Sequence, residues 1–222
     1  MSEPAATHRA PPRARFITLE GGEGAGKSTQ ARRLAAALAA AGVPVLRTRE
    51  PGGAPGAEAI RALLLGGGTG WDPVAEAMLH FAARREHLTR TIRPALDAGM
   101  WVVCDRFADS TLAYQGFGQG LPRAVFDALA ALTLDGLAPD LTLVLDLPPE
   151  TGMARARARA EAATRYERLG LEFHARIRAG FRAIAEAEPA RCVLVDAARP
   201  VDAVADDLRA LVRARLGAPL PP

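Results

Sequence analysis

Five short apolar runs punctuate the chain: Arg15–Glu20, Val43–Thr48, Met100–Asp105, Leu141–Leu147 and Arg191–Asp196. Each is continuous and does not alternate with polar residues, the pattern of strands covered on both faces. Between them, apolar residues recur at helical spacing from Gln30 to a stop at Gly42, then over Ala57–Leu65, Val74–Ala98, Arg123–Leu137, Glu150 to about Ala163, Gly170–Ala187 and Val201–Leu216. Strands alternating with helices predict an α/β fold, a doubly wound five-stranded parallel sheet with helices on both faces. Residues 15–217 read as one domain, preceded by a flexible tail over residues 1–14.

Composition narrows the options. With 49% hydrophobic and 24% charged residues the chain has a globular balance, which excludes disorder for its bulk. Arg, Asp, Gly or Pro interrupts every apolar run before it reaches the roughly 18–20 residues a membrane helix needs. No membrane partner is therefore expected. The opening MSEPAATHRAPPRAR lacks the apolar core of a secretory signal, so a cytoplasmic location is the expectation. Cys104 and Cys192 lie in separate apolar runs and read as buried strand residues, without a disulfide framework or zinc cluster. The net charge is +3, and its 28 basic residues are spread among 25 acidic ones, which argues against a nucleic acid polymer as partner.

One detail of the charge count matters more: Lys27 is the only lysine among those basic residues. A lysine kept where arginine is otherwise used marks a place for a compact point charge on a flexible stem. Lys27 lies in Gly21-Gly22-Glu23-Gly24-Ala25-Gly26-Lys27-Ser28, a G-x-x-x-x-G-K-S run between the first strand and the first helix. That context makes it a phosphate loop of the P-loop NTPase type. Glycines let backbone N–H groups converge on phosphate oxygens at the positive end of the helix. Lys27 then reaches the β- and γ-phosphates of ATP, and Ser28 is placed to ligate Mg2+. A guanine-reading N-K-x-D sequence needs a second lysine, so a small-molecule kinase leads. Asp105 and Arg106 end the third strand at its carboxyl edge, where ligands of open parallel sheets sit. Asp105 can hold magnesium and Arg106 can fork onto phosphate oxygens. Arg49, in TREPGG after the second strand, lies on the same edge.

The ordered blocks LEGGEGAGKS, TREPGG, EAMLHFAARREHL, DRFADSTLAYQG and PDLTLVLDLPPE resemble those of the bacterial thymidylate kinases, over essentially all of residues 15–216. The resemblance implies phosphorylation of dTMP by ATP with magnesium, and a homodimer formed through long helices. It implies that Arg49 and Arg106 contact the acceptor phosphate. Glu23 then reaches the acceptor's sugar hydroxyl and orders metal-bound water. Gly24 stands where another branch of the family carries an arginine, so the missing cation is expected from a lid around residues 153–168. Arg155, Arg157, Arg159 and Arg165 are its candidates, with Arg159 and Arg165 favoured, although Thr164 stands where the family has Asp before Arg165. In the EAML…RREHL register Arg84 matches the thymine-contacting arginine, and His80 stands where a base-stacking Phe is expected. A rotated helix would substitute Phe81 with Arg85. Ser110, Thr111, Tyr114 and Gln115, read as part of a loop, match thymidylate-pocket positions. Thr111 is implied to bond the base and Tyr114 to crowd carbon 2 of the sugar.

Overall fold

The computed structural model describes residues 13–66, 70–158 and 165–221. Five parallel strands form one sheet: β1 (Phe16–Glu20), β2 (Val45–Arg49), β3 (Trp101–Asp105), β4 (Leu141–Asp146) and β5 (Cys192–Asp196), in the spatial order β2-β3-β1-β4-β5. Successive residues of the runs face opposite sides, and both sides are covered. Phe16, Val102, Cys104, Val144 and Cys192 meet one helical layer, while Ile17, Leu19, Trp101, Val103, Leu143 and Val195 meet the other. The edge strand β2 departs from the expectation, with Arg47 and Arg49 exposed; in β1, β3 and β4 two-sided burial explains why the runs are unbroken in sequence. Both cysteines occupy buried strand positions.

The layer on the second side is α1 (Lys27–Ala40) and α9 (Val201–Leu216), joined by Leu34, Leu38, Val204, Leu208 and Val212. Packed on the first side are α3 (Pro73–His87), α4 (Arg93–Asp97), α6 (Arg123–Leu134) and α8 (Leu171–Ala187). Helix α2 (Pro55–Leu65) lies on α3, and α7 (Pro149–Arg157) follows β4. Helix α3 starts where its sequence says it should. The Asp72 carboxylate accepts from Val74 N at 2.9 Å and Ala75 N at 3.2 Å, and Pro73 occupies the first turn.

Three local readings need correction. The expected helix over Val74–Ala98 is interrupted by a π-helical stretch, Leu88–Ile92, between α3 and α4. Pro94 offers no N–H and crowds the preceding turn, so the chain widens there. The segment read as a loop around Ser110–Gln115 is helical: α5 (Ala108–Thr111) runs into a π-helical stretch over Leu112–Gly118. Its apolar residues, Leu112, Ala113 and Tyr114, pack into the core, and burial imposed a helix on a stretch whose own propensity is poor. Helix α6 stops three residues short of the expected Leu137, because Asp135 and Gly136 turn left-handed with φ of 50° and 73°.

Candidate active site

All five strands point their carboxyl ends the same way, and the order β2-β3-β1-β4-β5 puts the turn after β1 between the ends of β3 and β4. This is the switch point at which open parallel sheets bind ligands. A cavity of about 350 Å³ opens there, lined at one end by Gly24, Gly26, Lys27 and Ser28 and at the other by His80, Arg84, Thr111 and Gln115.

The loop end is built largely from backbone. Gly26 has a φ of 89° just before α1, a conformation that side chains resist. At Gly24 a Cβ would lie 2.0 Å from the Gly152 carbonyl oxygen of α7, so the loop and that helix approach closely. Lys27 is buried and its Nζ donates to Gly22 O at 2.7 Å. Burial, helped by the nearby Arg106, pulls its pKa down to about 8 against the opposing carboxylates of Glu23, Asp105 and Glu20. Ser28 Oγ donates to Asp105 Oδ2 at 2.5 Å. One hydroxyl and one carboxylate, both hard oxygen donors, suit an ion that takes few protein ligands and completes its shell with water and phosphate. Ala25 is buried in the core beneath the loop.

Arg106 ties the two ends together. Its guanidinium donates to Gly21 O at 3.1 Å, Ser110 Oγ at 3.1 Å, Glu23 Oε1 at 3.0 Å and Tyr114 Oη at 3.0 Å. Tyr114 in turn donates to Glu23 Oε1 at 2.8 Å. Burial alone would raise the Glu23 pKa, yet Arg106, Lys27 and the Tyr114 hydroxyl outweigh it and hold the carboxyl at about 2. Glu23 is thus an ion-paired carboxylate beside the phosphate loop.

The α3 end is built from side chains. Arg84 Nε donates to Glu50 Oε2 at 2.7 Å, and Arg84 Nη2 to Phe107 O at 3.0 Å and Thr111 Oγ1 at 3.1 Å. Its Nη1 is buried without a hydrogen-bond partner among the described residues. His87 Nδ1 lies 3.0 Å from the second Glu50 oxygen, which fixes that carboxylate from behind. His80 Nε2 lies 3.0 Å from Tyr166 Oη. The Tyr166 hydrogen goes to Glu76 Oε1 at 2.5 Å, so His80 Nε2 is the donor of that pair. Burial, reinforced by Arg84, Arg106 and Arg165, holds His80 neutral with a pKa of about 3. Glu76, fully buried, also accepts from Gln115 Nε2 at 2.7 Å and pairs with Arg165.

The structure brings Glu23, Lys27, Ser28, Arg49, His80, Arg84, Asp105, Arg106, Ser110, Thr111, Tyr114 and Gln115 to one cavity. Gly21 and Gly22 enter through their carbonyls. Of the lid arginines, Arg155 lines the cavity and donates to Ala197 O at 3.0 Å. Arg165 is held on Glu76 with its guanidinium over the Tyr166 ring, and Arg159 lies outside the described residues. The rotated alternative is not what is found. Phe81 packs on Phe126 and Arg85 donates to Thr133 O, both toward α6, which leaves His80 and Arg84 facing the cavity. Sequence reasoning missed Glu50, Arg61, Glu76 and Tyr166. Glu50 stood beside Arg49 in TREPGG and Tyr166 beside Arg165, so proximity to motifs was a usable signal; Arg61 sits in ordinary helical periodicity and offered none.

A loop made to grip a polyphosphate, opening onto a second arginine-lined pocket, defines a phosphate-loop phosphotransferase that works on a small phosphorylated acceptor. Its relatives narrow that class. The family model described as thymidylate kinase matches residues 19–208, so the chain belongs to the thymidylate kinase family. It is 57% identical over 203 residues to a thymidylate kinase of Caulobacter vibrioides, covering 91% of this chain and 97% of that protein. A thymidylate kinase of Gluconobacter oxydans is 56% identical over 191 residues, covering 85% and 89% respectively. Among solved structures, the thymidylate kinase of Ehrlichia chaffeensis superposes with a TM-score of 0.76 at 35% identity, over 90% of this chain and all of that one.

Proposed function

We propose that the protein transfers the γ-phosphoryl group of ATP to dTMP, releasing dTDP and ADP. The observation that carries this reading is the continuity of the cavity, from the phosphate loop to a buried Arg84 Nη1 that has a hydrogen to give. A base carbonyl answers that donor, and His80 offers a neutral ring beside it. Thr111 shares the task of holding the base, with Gln115 behind it. Lys27 has three donors and engages the β- and γ-phosphates. Arg106 and Arg49 hold the acceptor phosphate, while Ser110 steadies Arg106.

Ser28 and Asp105 would hold Mg2+, which when bound neutralises and orients the phosphate oxygens. Lys27 and Arg106 are aimed at the charge that spreads over the transferring group, so their contribution is to alignment and electrostatics. An acceptor oxygen forms the new P–O bond as the bond to ADP breaks. Glu23, ionised at neutral pH and pinned by Arg106 and Tyr114, orients the sugar hydroxyl. Tyr114 crowds carbon 2 of the sugar, a rejection by shape worth about 10²-fold against a ribose. Arg155, Arg157, Arg159 and Arg165 belong to a lid over residues 153–168, from which Arg159 or Arg165 supplies a further cation. Residues 15–217 work as one kinase unit in the cytoplasm; no described helix is long and apolar enough to cross a membrane. A second copy of the chain covers the exposed Leu63, Met78 and Leu132 of the stacked helices α2, α3 and α6.

A coupled assay of ATP with dTMP, dUMP, dCMP and AMP tests the reading. Preference for dTMP and little ATP loss without acceptor are expected. AMP as best acceptor, or hydrolysis that ignores the acceptor, overturns it.

A further inference from the structure

Arg106 occupies an improbable backbone conformation. Its φ of 73° is left-handed, and among the described residues the only other non-glycine with positive φ is Asp135, at the end of α6. A side chain with a Cβ persists in that region only where its surroundings over-determine it. Something must hold the turn after β3 in place.

Glu20, the last residue of β1, is the group placed to do so. It is fully buried and does not line the cavity. Glu20 Oε1 accepts the amide of Phe107, the residue directly after Arg106, at 2.7 Å. Its Oε2 accepts the Ser110 hydroxyl at 2.6 Å, and Ser110 Oγ accepts Arg106 Nη1 at 3.1 Å. One carboxyl therefore grips the chain just past the left-handed residue and, through a single hydroxyl, the tip of that residue's side chain. The Arg106 amide is meanwhile tied to Leu19 O at 3.0 Å, so two consecutive residues of β1 bracket it. An apolar residue could fill the same volume, and a carboxyl there is otherwise unfavourable. Burial and the nearby Asp109 push the Glu20 pKa up to about 8. A group held against such a cost is retained for what it bonds.

From this arrangement we infer that Glu20 is a positioning residue, which acts through Phe107 and Ser110 to set Arg106 at the angle phosphoryl transfer requires. The inference rests on reading Arg106 as a ligand of the acceptor phosphate. Glu20 itself touches neither nucleotide.

Two substitutions test it. Glu20→Leu keeps the bulk and removes both acceptors. Glu20→Gln keeps one oxygen for the Phe107 amide and offers its NH2 group to Ser110 Oγ. The Leu variant is expected to lose about 10²-fold in kcat, the scale of a slightly misplaced group. Its KM for ATP should stay within about twofold, since Lys27 and the loop glycines are untouched, and the Gln variant should recover most of the loss. Backbone amide exchange by NMR supplies a readout independent of turnover: the Phe107 amide is protected in the wild type and the Gln variant and exposed in the Leu variant. A Leu variant with wild-type kcat overturns the inference, as does a Gln variant as impaired as Leu with its Phe107 amide protected. Should Glu20→Leu fail to fold, Ser110→Ala decides: it removes the hydroxyl that links Glu20 to Arg106 and is expected to lower kcat at an unchanged KM for ATP with the Phe107 amide still protected, and a wild-type kcat refutes the relay. Wild-type protein that does not phosphorylate dTMP defeats the functional reading instead, whatever the amide does.

Discussion

The two ends of the cavity hold their ligand-facing groups by different means. At the loop end, positions are set by backbone: Gly24 against Gly152, the left-handed Gly26, and carbonyls of Gly21 and Gly22 that receive Arg106 and Lys27. At the α3 end, Arg84, His80 and Glu76 are held by side chains that arrive from Glu50 just after β2, from α5, from the π-helical stretch after it and from the segment around Tyr166. A backbone cradle is encoded within eight consecutive residues. A side-chain cradle depends on partners up to 90 residues apart, as Glu76 and Tyr166 are. The first is therefore written in one stretch of sequence, and the second is assembled from side chains that only the fold brings together.

The contrast is widest at Lys27. Lys27→Ala should lower kcat by about 10³-fold or more while leaving thermal stability unimpaired, because it removes a transition-state charge from a site where that charge is desolvated. Steady-state kinetics with a parallel melting curve checks it; a large loss of stability would mean that the loop end too relies on side-chain cross-links. At the other end, Glu50→Ala should act on the fold first. It strands the buried Arg84 without its counter-ion and should cost about 3–5 kcal/mol in urea unfolding, together with a raised KM for dTMP.

Smaller effects separate the layers of the α3 end. Tyr166→Phe removes a hydroxyl shared by Glu76, Gln115 and His80 and should cost about 1–3 kcal/mol. Its KM for dTMP should rise more than its KM for ATP; the reverse order would place Tyr166 with the phosphate loop. His80→Phe should change dTMP KM only a few-fold, since a ring remains and Tyr166 keeps its bond to Glu76. Its signature is pH dependence. The folded His80 pKa of about 3 lies below the ordinary 6.5, so the unfolded chain takes up a proton in that window that the folded chain does not. Wild-type stability therefore falls as pH drops from 6.5 toward 3, and the Phe variant should lose less. Urea midpoints at neutral pH and near pH 4.5 measure the difference; equal slopes would mean the ring is solvated.

Legibility in the sequence follows the same divide. The inner strands β1, β3 and β4 were readable because burial on both faces keeps their runs apolar, the edge strands β2 and β5 from shorter apolar stretches, and the loop because its chemistry is local. The segment Leu112–Gly118 was not, since its composition favours a loop and only its packing on Tyr166, Phe173 and Phe181 makes it helical. The choice between His80 and Phe81 was open for a related reason: spacing within one helix gives relative phase, and the neighbouring α6, which takes up Phe81 and Arg85, sets which face turns to the cavity.

From its order of residues alone this chain is a parallel α/β protein with a phosphate loop, because strand burial, helix periodicity and a glycine-lysine cradle are short-range properties. Folding supplied the rest: the partners of Arg84, Arg106 and Glu76, the pairing of Arg165 with Glu76, and the grip of Glu20 beside a left-handed arginine. Those depend on which distant side chains meet in a water-poor interior, where an unpaired polar group is costly, and no local pattern records such meetings.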